Sequence, residues 1–217
     1  MTHVRKSKGK SPELLQAYFF NKTGPDNTSK VIEAVRRRIR LGGVRKILVA
    51  SESGRLALEL RRTFPRVAIV CITYNEETRR KYRKPGLMKD ELLRHEITVV
   101  DDVAEPLGRE LTFRNWWEKS TIKLPSQYAD LFWMTLICVG GHGFRTAVEI
   151  VFMAVEAGEV SVGERVVSVA GTGWGADSAI VMKASRQEDA VGENREKRMK
   201  VEEILAMPKC TEWKGYG

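Results

Sequence analysis

The chain has 217 residues, 42% hydrophobic and 30% charged, and its 37 Lys and Arg against 28 Asp and Glu leave a formal net charge of +9. Such a length accommodates one folded domain, and such a composition excludes wholesale disorder. The basic start MTHVRKSKGK leads into no signal-peptide core, and the longest apolar run, Leu131 to Val139, is far short of the roughly 20 residues that span a bilayer.

AYFF (17–20) reads as a short buried strand, broken by the turn-rich NKTGPDNTS. A helix follows, with Asp26, Asn27 and Thr28 as candidate caps, Val31, Ile32, Val35 and Ile39 as its apolar stripe, and Gly42 and Gly43 as its stop. The arginines of RRRIR (36–40) are then expected mostly on its wet side. KILVA (46–50) is a continuous apolar strand, as in a parallel sheet covered on both faces. The next helix begins near Gly54 and ends before Pro65. VAIVCIT (67–73) is a strand, PGLMKDELLRHE (85–96) a helix and ITVV (97–100) a strand.

Residues 101–125 are expected to be an irregular excursion. Two apolar helices follow, SQYADLFWMTLICV and FRTAVEIVFMAVEAG, separated by Gly140 to Gly143. RVVSVA (165–170) and SAIVMKA (178–184) are strands about a glycine-rich turn, expected to close the sheet as a hairpin. SRQEDAVGENREKRMK is read as a charged surface loop and VEEILAMP (201–208) as an added edge strand. Strands alternating with helices at this spacing predict βαβ units and a mostly parallel sheet. The domain is expected over 18–209, with a basic flexible extension at 1–17 and a flexible tail at 210–217.

Cys71, Cys138 and Cys210 are widely spaced and odd in number, which argues for a reducing compartment, the cytoplasm, rather than a disulfide framework. The basic runs RKSKGK, RRRIR and RRKYRK suit either solvated helix faces or contact with nucleic acid or a phosphorylated ligand. The apolar helices and tryptophans leave room for a homo-oligomer.

In an open α/β sheet, ligands bind beyond the carboxyl ends of the strands where the strand order reverses. Polar residues stand at those ends: Asn21 and Lys22, then Ser51 to Ser53, then Thr73 and Tyr74, then Asp101 and Asp102. At SESGR the helix opens with Ser51 and Ser53, with Gly54 permitting close approach and Arg55 offering a forked contact. Free N–H groups at such an end favour an anion. The alternative, that Ser53 only caps the helix, stays open. No Gly-Lys-Ser or Gly-Lys-Thr follows, so this is no Walker loop.

A second candidate is AGTGWGADSA (170–179). A dinucleotide fingerprint requires a helix after the glycines, and SAIVMKA is a strand, so that reading fails on context. The glycines can still form an anion nest, with Thr172, Asp177 and Ser178 for hydrogen bonds and Trp174 for stacking, or merely a bulged hairpin. His142 reads as a turn histidine that could also touch an anion. Glu149, in an apolar helix, must be paired or functional. No metal-ligand spacing is present.

LVASESGRLALELRRTFPRVAIVCIT resembles the C-terminal α/β domain of pyruvate kinases. YFFNKTGPDNTSKVIEAV, VCITYN, GHGFRTAVEIVFMAVEAG, VVSVAGTGWGADSAIVMKAS and EEILAMPK extend the likeness to the stand-alone pyruvate kinase α/β domain-like proteins, mostly archaeal and largely without assigned function. The resemblance implies a three-layer α/β/α sandwich with a mixed five-stranded core sheet, and flavin mononucleotide (FMN) as ligand. Carried onto this chain, the phosphate cradle is Ser51, Ser53, Gly54 and Arg55. The loop of Thr172, Gly173, Trp174, Gly175, Ala176, Asp177 and Ser178 closes over the ligand, and Asn21, Lys22, Thr73 and Tyr74 line the rest. Pyruvate kinase activity is not expected, because that chemistry needs a separate barrel with metal-binding carboxylates. An oxidoreductase role would require that a flavin bind and be reducible. The alternatives are a nucleic-acid-binding accessory protein and a non-catalytic regulatory module.

Overall fold

The computed structural model describes residues 16–103, 111–115, 120–124, 126–192 and 194–209, so nearly all of the expected basic extension and the whole expected C-terminal tail lie outside the described residues. Strand β1 (Tyr18–Phe20) leads through a 3-10 turn (Pro25–Asn27) into α1 (Thr28–Arg40). Then come β2 (Lys46–Ala50), α2 (Arg55–Thr63), β3 (Ala68–Ile72), α3 (Glu76–Lys81), α4 (Lys89–Arg94) and β4 (Thr98–Val100). The chain continues as β5 (Leu111–Asn115), β6 (Ser120–Leu124), α5 (Ser126–Glu156), β7 (Arg165–Ala170), β8 (Ser178–Lys183), a second 3-10 turn (Gln187–Asp189) and β9 (Lys200–Pro208).

Seven strands form one sheet in the order β1-β9-β8-β7-β2-β3-β4. The pairs β1/β9, β7/β2, β2/β3 and β3/β4 are parallel, while β8 is antiparallel to both neighbours, so β8 alone runs against the rest. Side chains alternate across the strands. Ile47, Val49, Ile69 and Cys71 pack with α1, α2 and Leu92 of α4 on one face. Leu48, Val70, Ile72, Val166 and Ile180 pack with α5 on the other. The result is a three-layer α/β/α sandwich with a mixed, mostly parallel sheet.

Several elements differ from expectation for identifiable reasons. The sheet has seven strands, not five. β9 lies inside it between β8 and β1, so it is not an edge strand: it pairs on both sides and leaves β1 at the edge. The stretch expected to be irregular holds the antiparallel ribbon β5/β6. α3 was not expected; Asn75 caps it, its Oδ1 accepting the Thr78 N–H at 2.8 Å. α4 starts at Lys89 rather than Pro85, and the Met88 amide is instead drawn to the Ser53 carbonyl at 3.1 Å. The supposed surface loop after β8 buries Ser185, Gln187 and Ala190.

α1 has no side-chain cap; the Thr28 hydroxyl, a candidate for that role, donates to the Pro25 carbonyl at 2.6 Å and accepts the Ala176 N–H at 2.9 Å. Arg38 leaves the wet side altogether. It is 6% exposed and donates to Glu203 of β9 at 2.6 Å and to the Gly42 carbonyl at 2.8 Å.

Within α5 the two expected helices do meet at glycine, where Gly140 and Gly141 leave helical geometry and Gly141 has φ +79°. A Cβ on Gly140 would fall 2.6 Å from the Phe144 ring. The stretch Asp130–Glu156 is long and apolar enough to cross a membrane by length and composition. Here most of it is buried, its side chains packed against the sheet.

Candidate functional site

The helices on the first face connect β1 to β2, β2 to β3 and β3 to β4, whereas α5 crosses the opposite face before β7. The winding therefore reverses between β2 and β7, and crevices form at the carboxyl ends of strands there. A cleft of about 680 Å³ opens at this point. Its walls come from the turn after β2, the end of β3, the start of α1, the loop after β7 and the inner face of α5.

The serine turn is held from below. The Ser51 hydroxyl accepts the Gly54 N–H at 3.2 Å and Ser51 itself is buried. Gly54 has φ +90°, and a Cβ there would press to 2.9 Å from Leu92, so close packing and a left-handed backbone both call for glycine. α2 begins without a side-chain cap, and Ser53 Oγ reaches the Arg55 N–H only at 3.4 Å. The first-turn amides of this helix thus stay available to an acceptor in the cleft.

The loop after β7 is stitched to the start of α1. The Asp177 carboxylate, fully buried, accepts the N–H groups of Gly24 and Thr172 at 3.0 Å each on Oδ2 and the Ser178 hydroxyl at 3.0 Å on Oδ1. Gly143 passes so close that a Cβ would lie 2.1 Å from Oδ1. Asp177 therefore ties together the first connection, the glycine loop and α5. Gly171, Gly173, Trp174 and Gly175 face the cleft, with Trp174 61% exposed at its mouth.

The basic run 79–84 folds back to build a wall. Arg79 donates to the Glu52 carbonyl at 2.6 Å, to Thr73 Oγ1 at 3.0 Å and to the Pro85 carbonyl. Lys84 pairs with Glu52 at 2.8 Å and lies 5.3 Å from the centre of the Tyr74 ring. Arg80 pairs with Glu76 and Arg37 stacks over Tyr18. Much of the positive charge in the two inner runs is therefore engaged within the fold.

Of the residues singled out from the sequence, Ser51, Ser53, Arg55, Thr73, Tyr74, Gly173, Trp174 and Gly175 share this cleft. Gly54, Thr172, Ala176, Asp177 and Ser178 support its walls from behind. Asn21 and Lys22 are exposed on the preceding loop and do not line it.

Residues that the sequence reading weighed singly or passed over complete it: His142, Arg145, Thr146 and Glu149. Their signal was polar positions recurring at helical spacing in an otherwise apolar helix. Glu149 is buried and paired, both of its oxygens lying 2.9 Å from Arg145 Nη2. Partial burial holds the His142 imidazole below its ordinary range; the Arg145 charge acts in the same direction, and Asp177 opposes it. Beneath the cleft, burial pushes the Cys71 thiol up to about 12.

Residues 29–105 match the family model of the pyruvate kinase, alpha/beta domain. The match runs from α1 through β4, about a third of the 217 residues, and includes the serine turn and the wall at 73–84. It ends before α5 and the glycine loop. The mixed sheet with helices on both faces agrees with the architecture expected of a pyruvate kinase C-terminal domain-like protein.

Proposed function

We propose that the protein binds a phosphorylated small molecule in the cleft between the 51–55 and 172–178 loops, with the phosphate at the serine turn. One observation carries this reading: two loops far apart in sequence, each with hydrogen-bond donors and glycine backbone, open onto the same cleft where the sheet reverses its winding. The uncapped amides of α2, the Ser53 hydroxyl and the exposed Arg55 are the donors suited to a phosphate.

FMN is the first ligand to test, on the strength of the family resemblance. The residues present suit it. Trp174 and Tyr74 offer aromatic faces for a ring, Ile72, Ile150 and Met153 an apolar wall, and the volume lies in the range of small-molecule pockets. A bound flavin would supply electron-transfer chemistry; the chain's own residues hold the phosphate and exclude water from the ring.

The test is a titration of FMN followed by quenching of its fluorescence, with inorganic phosphate as competitor, in the wild type and in Ser53→Asp. Saturable binding, weakened at least about tenfold by the added negative charge, is the expected result. Absence of binding at millimolar ligand, or equal affinity in the variant, would refute the phosphate assignment.

A further inference from the structure

The cleft lies at the carboxyl ends of the parallel strands, and the opposite end of the sheet carries a feature of its own. β1, β2, β3, β7 and β9 all run the same way, so α1 and α2 each return from carboxyl ends to amino ends. Their last turns therefore stand with the starts of β2 and β3. Five arginines collect there: Arg36 and Arg40 one turn apart on α1, Arg62 in the last turn of α2, Arg45 just before β2 and Arg66 just before β3. The register pairs Lys46 with Ala68, which puts Arg45 and Arg66 at the starts of strands about 5 Å apart. All five are exposed, and among the described residues no hydrogen bond or ion pair engages their side chains. Acids at this end are engaged with other cations, Glu203 with Arg38, Glu202 with Arg165 and Glu164 with Lys46. Glu96 and Glu159, without an ion pair among the described residues, offset only part of the five charges.

A helix C-terminus favours cations, which accounts for Arg40 and Arg62 but not for Arg45 and Arg66, both in connections. The chain also enters the fold at this end. Gln16 Oε1 accepts an N–H of Arg37 Nη1 at 3.2 Å, next to Arg36, and the sequence before Gln16 carries Arg5, Lys6, Lys8 and Lys10. We propose that this end of the molecule is a docking surface for the phosphodiester backbone of double-stranded nucleic acid, bound without regard to sequence. Guanidinium groups fork onto phosphate oxygens, and unpartnered arginines spread over two helices and two connections match a polymer that presents phosphates at short, regular intervals. A single strand is held largely by stacking its bases on aromatic side chains. Residues 36–45 and 62–66 contain one aromatic, Phe64, and it is buried in the core. A lipid surface takes up apolar area, and Leu41 is the one large apolar side chain exposed in these two segments. None of the five arginines lines the cleft, so the surface stands independently of the phosphate reading above.

The experiment follows the fluorescence anisotropy of a short labelled DNA duplex of mixed sequence as the full-length protein is added, at salt concentrations from about 50 to about 200 mM. Wild type is compared with Arg40→Gln/Arg62→Gln and with Lys22→Gln/Arg83→Gln, which removes the same charge from exposed side chains at the cleft end. All four side chains lack an ion pair among the described residues, so both variants should fold, which circular dichroism checks. Each phosphate contact adds about −0.9 to the slope of log affinity against log salt, so five contacts predict a slope of about −4 or steeper in the wild type. Arg40→Gln/Arg62→Gln should make the slope shallower by about 2 and weaken binding at least about tenfold at about 0.1 M salt, while the cleft-end variant stays within about threefold of wild type. Absence of duplex binding at about 50 mM salt, or equal losses in the two variants, overturns the proposal. It is overturned equally if a single strand of the same length, polyglutamate or phosphatidylserine-containing vesicles, at matched charge, compete as well as the unlabelled duplex.

Discussion

Replacing Gly175 by alanine tests how the glycine loop is held against the start of α1. Gly175 has φ +71°, and an added Cβ would lie 2.4 Å from Thr28 Oγ1 and 2.8 Å from Pro25 Cα, the latter being backbone that cannot swing aside. Gly173, two residues earlier, has φ +80° and open space around the same position. The left-handed backbone costs each alanine about 1–2 kcal/mol. At position 175 the clash adds about 1–3 kcal/mol of overpacking strain. Relief by moving the loop would sacrifice the Ala176 N–H to Thr28 Oγ1 bond, about 1 kcal/mol. The expected losses are therefore about 1–2 kcal/mol for Gly173→Ala and about 2–5 kcal/mol for Gly175→Ala. Urea unfolding followed by circular dichroism measures both, and at about 2–4 °C per kcal/mol the melting temperatures should separate clearly. Equal losses would show that backbone conformation alone matters and that the contact with α1 carries nothing.

Arg38→Met alone should cost about 3 kcal/mol by leaving Glu203 without its partner, while Arg38→Met/Glu203→Leu should recover most of that; a double-mutant cycle in urea reads the coupling. In a Cys210→Ser protein, Ellman's reagent should titrate one thiol in the native state, the exposed Cys138. The second, Cys71, buried and raised to about 12, should react only after unfolding. Because the folded protein holds His142 below the ordinary 6.5, the unfolded chain takes up that proton first as pH falls. Stability should then decline as pH drops from 6.5 through the folded value. His142→Gln should flatten the pH dependence of unfolding in that window, and an unchanged slope would refute the assignment.

Much of the fold was legible locally. The apolar runs at 46–50, 165–170 and 178–183 carry their strand character in β-branched residues, and the glycines at 42–43 and 140–141 mark real breaks, because these signals are set by neighbours a few residues apart. The serine turn and glycine loop were legible as candidates for the same reason. What the sequence by itself determined was an alternating α/β chain with donor-rich loops at the ends of its strands. Only the tertiary structure decided that β9 inserts between β8 and β1, since strand order is set by pairing across long separations that no local pattern encodes. The same holds for Arg38 turning inward to Glu203, for the 79–84 run folding onto Glu52 and Tyr74, and for Asp177 gathering three segments. The floor of the cleft became visible only when the polar positions of α5 met the reversal point of the sheet. A buried charge can persist only beside its partner, and the partner's position is a property of the packed molecule.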